Sequence, residues 1–328
     1  HGGTDLFYPL LAWKIFGVET IGVTRIFTIF LILFVKLLSV LLSYQFTKIL
    51  KLNKETKILF FSIFTLILIS MSNYTFLGKS YYISWKDIYI VAFLIFFIEL
   101  FISSKIRSLS IILICLIATT SIVFQIDKGA YLNFILIFYC LYLLLEKKYK
   151  DILLIFLSLI VFWSILIGFT GFDEFKAYLH NTKTIMLSMD WMHGLNYPEP
   201  FFSIGNNSDG ARATKGLLIQ IAAGLFVLNY LISNEKKIFS SKKILFVFLF
   251  VLSFIMYKNA LGRSDGTHIR DSNDVPILIC SFFILNYLLI LLEKIFFPKE
   301  IFSTKVSFTV AILFLISFYI YHHDKYSV

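Results

Sequence analysis

Apolar stretches of membrane-spanning length return along almost the whole of this chain, and nothing constrains its fold more. A window of about 19 residues marks Val23–Lys48, Lys57–Met71, Ile88–Phe101, Ser108–Phe124, Ala130–Leu145, Ile152–Thr170, Gly216–Ile232, Lys243–Tyr257, Val275–Leu292 and Val306–Tyr321. In a bilayer every backbone polar group has to be satisfied within the protein, which leaves helices as the form for segments of this kind. The expectation is an all-α fold: one polytopic transmembrane bundle over 1–328 with about ten spans. Several of the stretches are short for a bilayer, and tilt or burial inside the bundle would accommodate them. Five prolines in 328 residues and a mean hydropathy of +0.84 fit no soluble class.

The connectors alternate in character. "KILKLNKETK" (48–57), "SSKIRS" (103–108), "EKKYKD" (146–151), "SNEKKIFSSKK" (233–243) and "EKIFFPKEIFSTK" (293–305) are short, and each carries two or more Lys or Arg. The segments 1–22, 72–87, 125–129, 171–215, 258–274 and the C-terminal tail are mixed in charge and hold all six histidines. By the positive-inside rule the lysine set faces the cytoplasm and the second set faces out. The net charge of +10 therefore reads as topology. Nucleic acid as a partner is excluded on this reading, since the cations sit in short clusters between spans. This sidedness puts the start "HGGTDLFYPLL" outside, with the expectation that an initial span and the first part of an outer loop precede it.

The outer set is where chemistry is expected, because charged groups at one membrane boundary are functional suspects. In 1–22, Thr4 or Asp5 is a candidate N-cap, Leu6, Leu10 and Trp13 share a face, and Gly17 is placed to stop a short interfacial helix. In "FQIDKGAYLN", Asp127 and Lys128 sit between two spans, with Gly129 read as the turn residue. The stretch 171–215 is too long for an idle connector. A second amphipathic helix over 173–189 is expected in it, and His193, Asp190, Trp191, Glu199 and Arg212 are candidates there. The densest cluster is "YKNALGRSDGTHIRDSND" (257–274), where Lys258, Arg263, Asp265, His268, Arg270, Asp271 and Asp274 surround two glycines. Arginine forks and glycine amides suit a phosphate or pyrophosphate, and a histidine donates or transfers a proton. Internal salt bridges are the alternative explanation of the same set, and the anion-site reading is preferred because charge clusters at a membrane edge are functional by default. The cysteines, Cys115, Cys140 and Cys280, all fall in apolar spans without metal-ligand spacing and read as small buried hydrophobes.

No P-loop or dinucleotide fingerprint accompanies the spans. A substrate met at the outer surface, with a lipid tail among the helices and a phosphate near Arg263, His268 or Arg270, fits best. The organisation resembles the integral-membrane glycosyltransferases of the GT-C class, and "HGGTDLFYP", "DKGAY" and "GRSDGTHIR" are similar to short stretches in bacterial membrane proteins of that broad kind. The resemblance implies a bacterial inner-membrane enzyme whose site faces the periplasm, with a polyprenyl-phosphate sugar as donor and a glycan, lipid or protein as acceptor. It also implies an acidic residue in the first outer loop, here Asp5, as catalytic base or as ligand to a divalent metal such as Mg or Mn. Lipid-phosphate binding would then fall to Arg263, Asp265, His268, Arg270, Asp127, Lys128 and His193. An O-antigen polymerase or ligase, indifferent to Asp5, and a lipid-linked substrate transporter or flippase remain alternatives. The second would carry ionisable groups along its spans, where the sequence offers little besides Lys36 and Glu99.

Overall fold

A computed structural model describes residues 4–71, 88–103, 105–188, 209–233, 240–262, 268–269 and 272–296. Among them the chain is helical throughout and no strand occurs. The helices are α1 (Thr4–Phe16), α2 (Ile21–Ile49), α3 (Lys54–Met71), α4 (Ile88–Ile102), α5 (Arg107–Phe124), α6 (Ile126–Leu145), α7 (Tyr149–Thr170), α8 (Phe172–Leu187), α9 (Asp209–Ile232), α10 (Ser241–Leu261) and α11 (Asp274–Phe296).

Seven of these, namely α2, α5, α6, α7, α9, α10 and α11, are long and apolar enough to cross a membrane. The expected ten are therefore reached only in part. The α3 helix has 18 residues and opens with Lys54, Glu55 and Lys57, while α4 has 15. At 1.5 Å per residue α4 is roughly 23 Å long, shorter than a hydrocarbon core of about 30 Å. Its surroundings account for this. Nine of its residues, from Ile90 to Phe101, are buried, and it packs on α2, α5, α6 and α10. A helix enclosed by protein need not match the bilayer by itself. The tenth expected span, 306–321, lies outside the described residues.

Two aromatic clusters fill the centre. Phe46 of α2, Phe60 and Phe64 of α3, Phe246 of α10 and Phe282 and Phe283 of α11 stack and cross with centroids 4.7–6.4 Å apart. Phe97 and Phe101 of α4 meet Tyr139 of α6 and Phe248 of α10 at 5.3–6.1 Å. Edge-to-face contacts of this kind add to dispersion in a site with no hydrophobic push from lipid. The faces left outward are apolar as well: α7 buries only Ile155 and Ser158, and it is the most lipid-like surface of the bundle.

The lysine-rich connectors gather at one end, where their cations meet helix C-termini. Lys242 donates to the Ile49 carbonyl at 2.8 Å, and Lys243, fully buried, donates to the Leu231 and Ser233 carbonyls at 2.9 Å each. Arg107 donates to Asp151 at 2.7 Å and to the Leu100 carbonyl at 2.8 Å, and reaches Tyr139 Oη at 3.1 Å. Lys48 pairs with the buried Glu99 at 3.1 Å, and Glu293 accepts from the Asn53 amide at 3.0 Å. The last carbonyls of a helix lack intrahelical donors and carry partial negative charge, so cations there satisfy and stabilise them. Glu99 thus belongs to a structural ion pair at this end.

The opposite end corrects two readings of the sequence. Asp127, Lys128 and Gly129 are not a turn: α5 and α6 are joined by the single extended residue Gln125 (φ −148°), and all three residues lie in the first turn of α6. Gly129 is needed for close approach, since a Cβ there would overlap the backbone of Ile122. The connector 171–215 is mostly helix at its margins. Gly171 (φ +84°) breaks α7 from α8, which runs Phe172–Leu187, and α9 begins at Asp209 instead of 216. Gly17 (φ +68°) ends α1 as expected, its amide bonding the Trp13 carbonyl at 2.8 Å.

Candidate functional site

At the end away from the lysine connectors, five helices leave a cleft between them. It is a narrow cavity of about 70 Å³, lined by Val35, Ser39 and Leu42 of α2, Leu68 of α3, Ile90, Val91 and Leu94 of α4, Met256 of α10, and Asp274, Val275 and Leu278 of α11. On α2, α4 and α11 the lining residues recur three or four apart, the spacing that puts them on one face. The wall is almost wholly apolar. Ser39, the exception on α2, spends its hydroxyl on the Val35 carbonyl at 3.0 Å, which removes its polarity from the cavity. Lys36, between those two on α2, donates to the Ile69 carbonyl at 2.6 Å and so closes the C-terminal turn of α3.

Among the described residues, Asp274 alone brings charge to the lining. It opens α11, where the unbonded amides of a helix N-terminus favour a carboxylate. Its predecessor Asn273 is buried, with an Oδ1 that has no hydrogen-bond partner among the described residues. An orphaned acceptor beside the mouth costs free energy of about 1–3 kcal/mol unless something supplies a donor.

The neighbouring wall is a polar seam between α9 and α10. Ser253 and Gln220 exchange hydrogen bonds, the Ser253 hydroxyl donating to Gln220 Oε1 at 2.9 Å and Gln220 Nε2 to the Ser253 carbonyl at 3.2 Å. Tyr257 donates to the Ala213 carbonyl at 2.7 Å. Gly216 lets that ring in, since a Cβ there would stand 2.8 Å from Tyr257 Cε2. Ile269, from the segment before α11, packs on Ala213, Tyr257, Ala260 and Leu261. Ile269 thus lies against α9 and α10, and Asp274 lines the cleft at the start of α11.

Of the expected site residues, His268 is half-buried beside Ile269. Arg263, Asp265 and Arg270, from the same connector, and His193 lie outside the described residues. Asp5 is the second residue of α1, so Thr4 and Asp5 fall within the first turn instead of capping it. Asp127 and Lys128 are not in the cleft lining. They occupy a corner of α5, α6 and α8, Asp127 exposed and Lys128 buried. There Tyr178 of α8 donates to the Ile122 carbonyl at 2.6 Å. Burial pushes the Tyr178 hydroxyl above its ordinary value, Asp127 adds to this, and Thr182 works against it, so the phenol stays a neutral donor.

Sequence reasoning placed Asp274 in the charged connector without singling it out, and it missed the α2 and α4 faces of the cleft. Those faces are ordinary apolar helix in one dimension, and only the packing of five helices makes them a wall. Among the described residues no three of His, Cys, Asp and Glu gather in a way that could hold a metal ion. The three cysteines are free thiols, Cys115 buried and the others half-buried. Comparison with protein-family models, with curated proteins and with solved structures returns no match.

Proposed function

We propose that this protein is a membrane glycosyltransferase of the GT-C kind, taking a sugar from a polyprenyl-phosphate donor to an acceptor at the outer face of a bacterial inner membrane. One observation carries the reading: an apolar cleft among α2, α3, α4, α10 and α11 that, among the described residues, is charged only where Asp274 meets it, at the end bearing the histidine-containing connectors. A ligand with a long hydrocarbon tail and a polar head has the complementary distribution. The lysine connectors at the other end support the orientation, with this mouth outside.

The roles follow from charge. A carboxylate at the mouth repels a phosphate and attracts hydroxyls, so Asp274 suits the sugar or the acceptor, while the departing lipid phosphate falls to Arg263, His268 and Arg270. Asp5, on the short helix α1, is the base that takes the acceptor proton. Asp127 and Lys128, at the α8 corner, are assigned to the flanking surface.

The test is turnover of a polyprenyl-phosphate sugar by the protein reconstituted in liposomes, with Asp5→Asn and Asp274→Asn beside the wild type. Losses of about 10²-fold or more are expected for Asp5→Asn. Undiminished turnover in that variant removes Asp5 from the mechanism. Activity on a pyrophosphate-linked glycan instead, unaffected by Asp5→Asn, supports a polymerase or ligase and overturns the proposal.

A further inference from the structure

The α8 helix has a face that the bundle leaves uncovered, and its residues are sorted in a way that a solvated helix does not require. Toward the bundle it presents Phe175, Tyr178 and Thr182, spaced three and four apart and half-buried. Phe175 crosses the Trp163 ring of α7 at 5.6 Å, and Tyr178 bonds the end of α5. These anchors tie α8 to the end of α5 and to α7, the span with the least protein around it. Outward, Phe172, Leu179 and Leu187 are 69%, 47% and 78% exposed.

The charges are arranged around that apolar row. At 100° per residue, Lys176 and Lys183 project within about 60° of the Phe172–Leu179 row, whereas Asp173 and Glu174 project about 100° or more from it. A helix floating in water gains nothing from this separation. A helix lying in the headgroup layer does: its apolar row enters the acyl boundary, and lysines beside the row snorkel to phosphates while the acids stay in water. Both acids fall in the first turn, where the helix dipole holds them.

We infer that α8 is a lipid-binding element whose Phe172–Leu179 row and flanking Lys176 and Lys183 dock on anionic phospholipid headgroups of the leaflet at this end. The docking is independent of the transferase reading, because it uses none of the cleft residues. It also gives Gly171 a purpose, since a residue with φ +84° turns the chain from a span into the membrane surface within a single position.

The test uses the protein reconstituted in phosphatidylcholine bilayers with and without phosphatidylglycerol. A fluorophore on Leu179→Cys, in a background with Cys115→Ser, Cys140→Ser and Cys280→Ser, reports quenching by brominated lipids of either headgroup. Brominated phosphatidylglycerol is expected to quench preferentially. That preference is expected to fall about fivefold for each of Lys176→Gln and Lys183→Gln, and Asp173→Asn is expected to leave it intact. No quenching by either lipid, or equal quenching by both, overturns the inference. Hydrogen exchange on the unaltered protein draws the same distinction without cysteine replacement. Slower exchange of α8 amides only when phosphatidylglycerol is present supports the docking, and exchange indifferent to headgroup contradicts it.

Discussion

Replacing Gly129 by alanine reverses the usual effect of that substitution. In a helix interior, glycine to alanine stabilises by about 1 kcal/mol, because alanine loses less backbone entropy. Gly129 is a helical residue of α6, yet its added Cβ would fall on the Cα and N of Ile122 in α5. These are backbone atoms, so relief demands that the two helices separate. The separation strains a second link: Asn133 Nδ2 bonds both the Gly129 carbonyl and the Ala118 carbonyl of α5 at 2.8 Å. Overpacking costs about 1–3 kcal/mol and a weakened hydrogen bond about 1 kcal/mol. Together they exceed the propensity gain, for a net loss of about 1–3 kcal/mol. Thermal unfolding of the purified protein in detergent measures it, with Gly168→Ala as comparison. Gly168 is likewise helical, but a Cβ there meets nothing within 4 Å, so that variant should match or exceed the wild type. Equal shifts for the two variants would refute the close packing of α5 on α6.

Three further outcomes follow from the same geometry. Glu99→Ala leaves Lys48 beside an empty partner position; because Lys48 is 31% exposed, water offsets part of the loss and about 1–3 kcal/mol is expected by thermal unfolding, with Glu99→Leu paired to Lys48→Met recovering most of it. Lys243→Met strips two carbonyls at the end of α9 of their donor and should cost about 2–4 kcal/mol, with Lys243→Arg closer to the wild type. Tyr178→Phe removes the tie from α8 to Ile122, so exchange of α8 amides should accelerate while those of α4 and α10 keep their protection.

Much of the bundle was legible because hydropathy and the hydrogen-bonding demands of a bilayer act on segments, and segments are what a sequence displays. The helix over 241–261 and the stop at Gly17 follow from local rules alone. Gly129 did not, since a glycine after Asp–Lys between two apolar runs has the composition of a turn. Its actual role depends on Ile122 standing opposite, which is a tertiary fact. Glu99 gave a similar ambiguity: an acid in an apolar run can line a transport path or pair with a cation, and only the proximity of Lys48, 51 positions away in sequence, decides for the pair. The cleft is the extreme case. Val35, Val91 and Met256 carry no chemical signature, and their meaning comes from facing one cavity beneath Asp274.

The transferase reading depends above all on this cleft receiving the tail of a lipid-linked substrate. A polyprenyl phosphate carrying a photoreactive group in its chain, irradiated with the reconstituted protein and mapped by peptide mass spectrometry, reads this out at the level of peptides. Adducts are expected on the lining peptides of α4, α10 and α11, around Val91, Met256 and Leu278, and unlabelled polyprenyl phosphate should compete them away. Adducts confined to the outward face of α7, and unaffected by competitor, would contradict it.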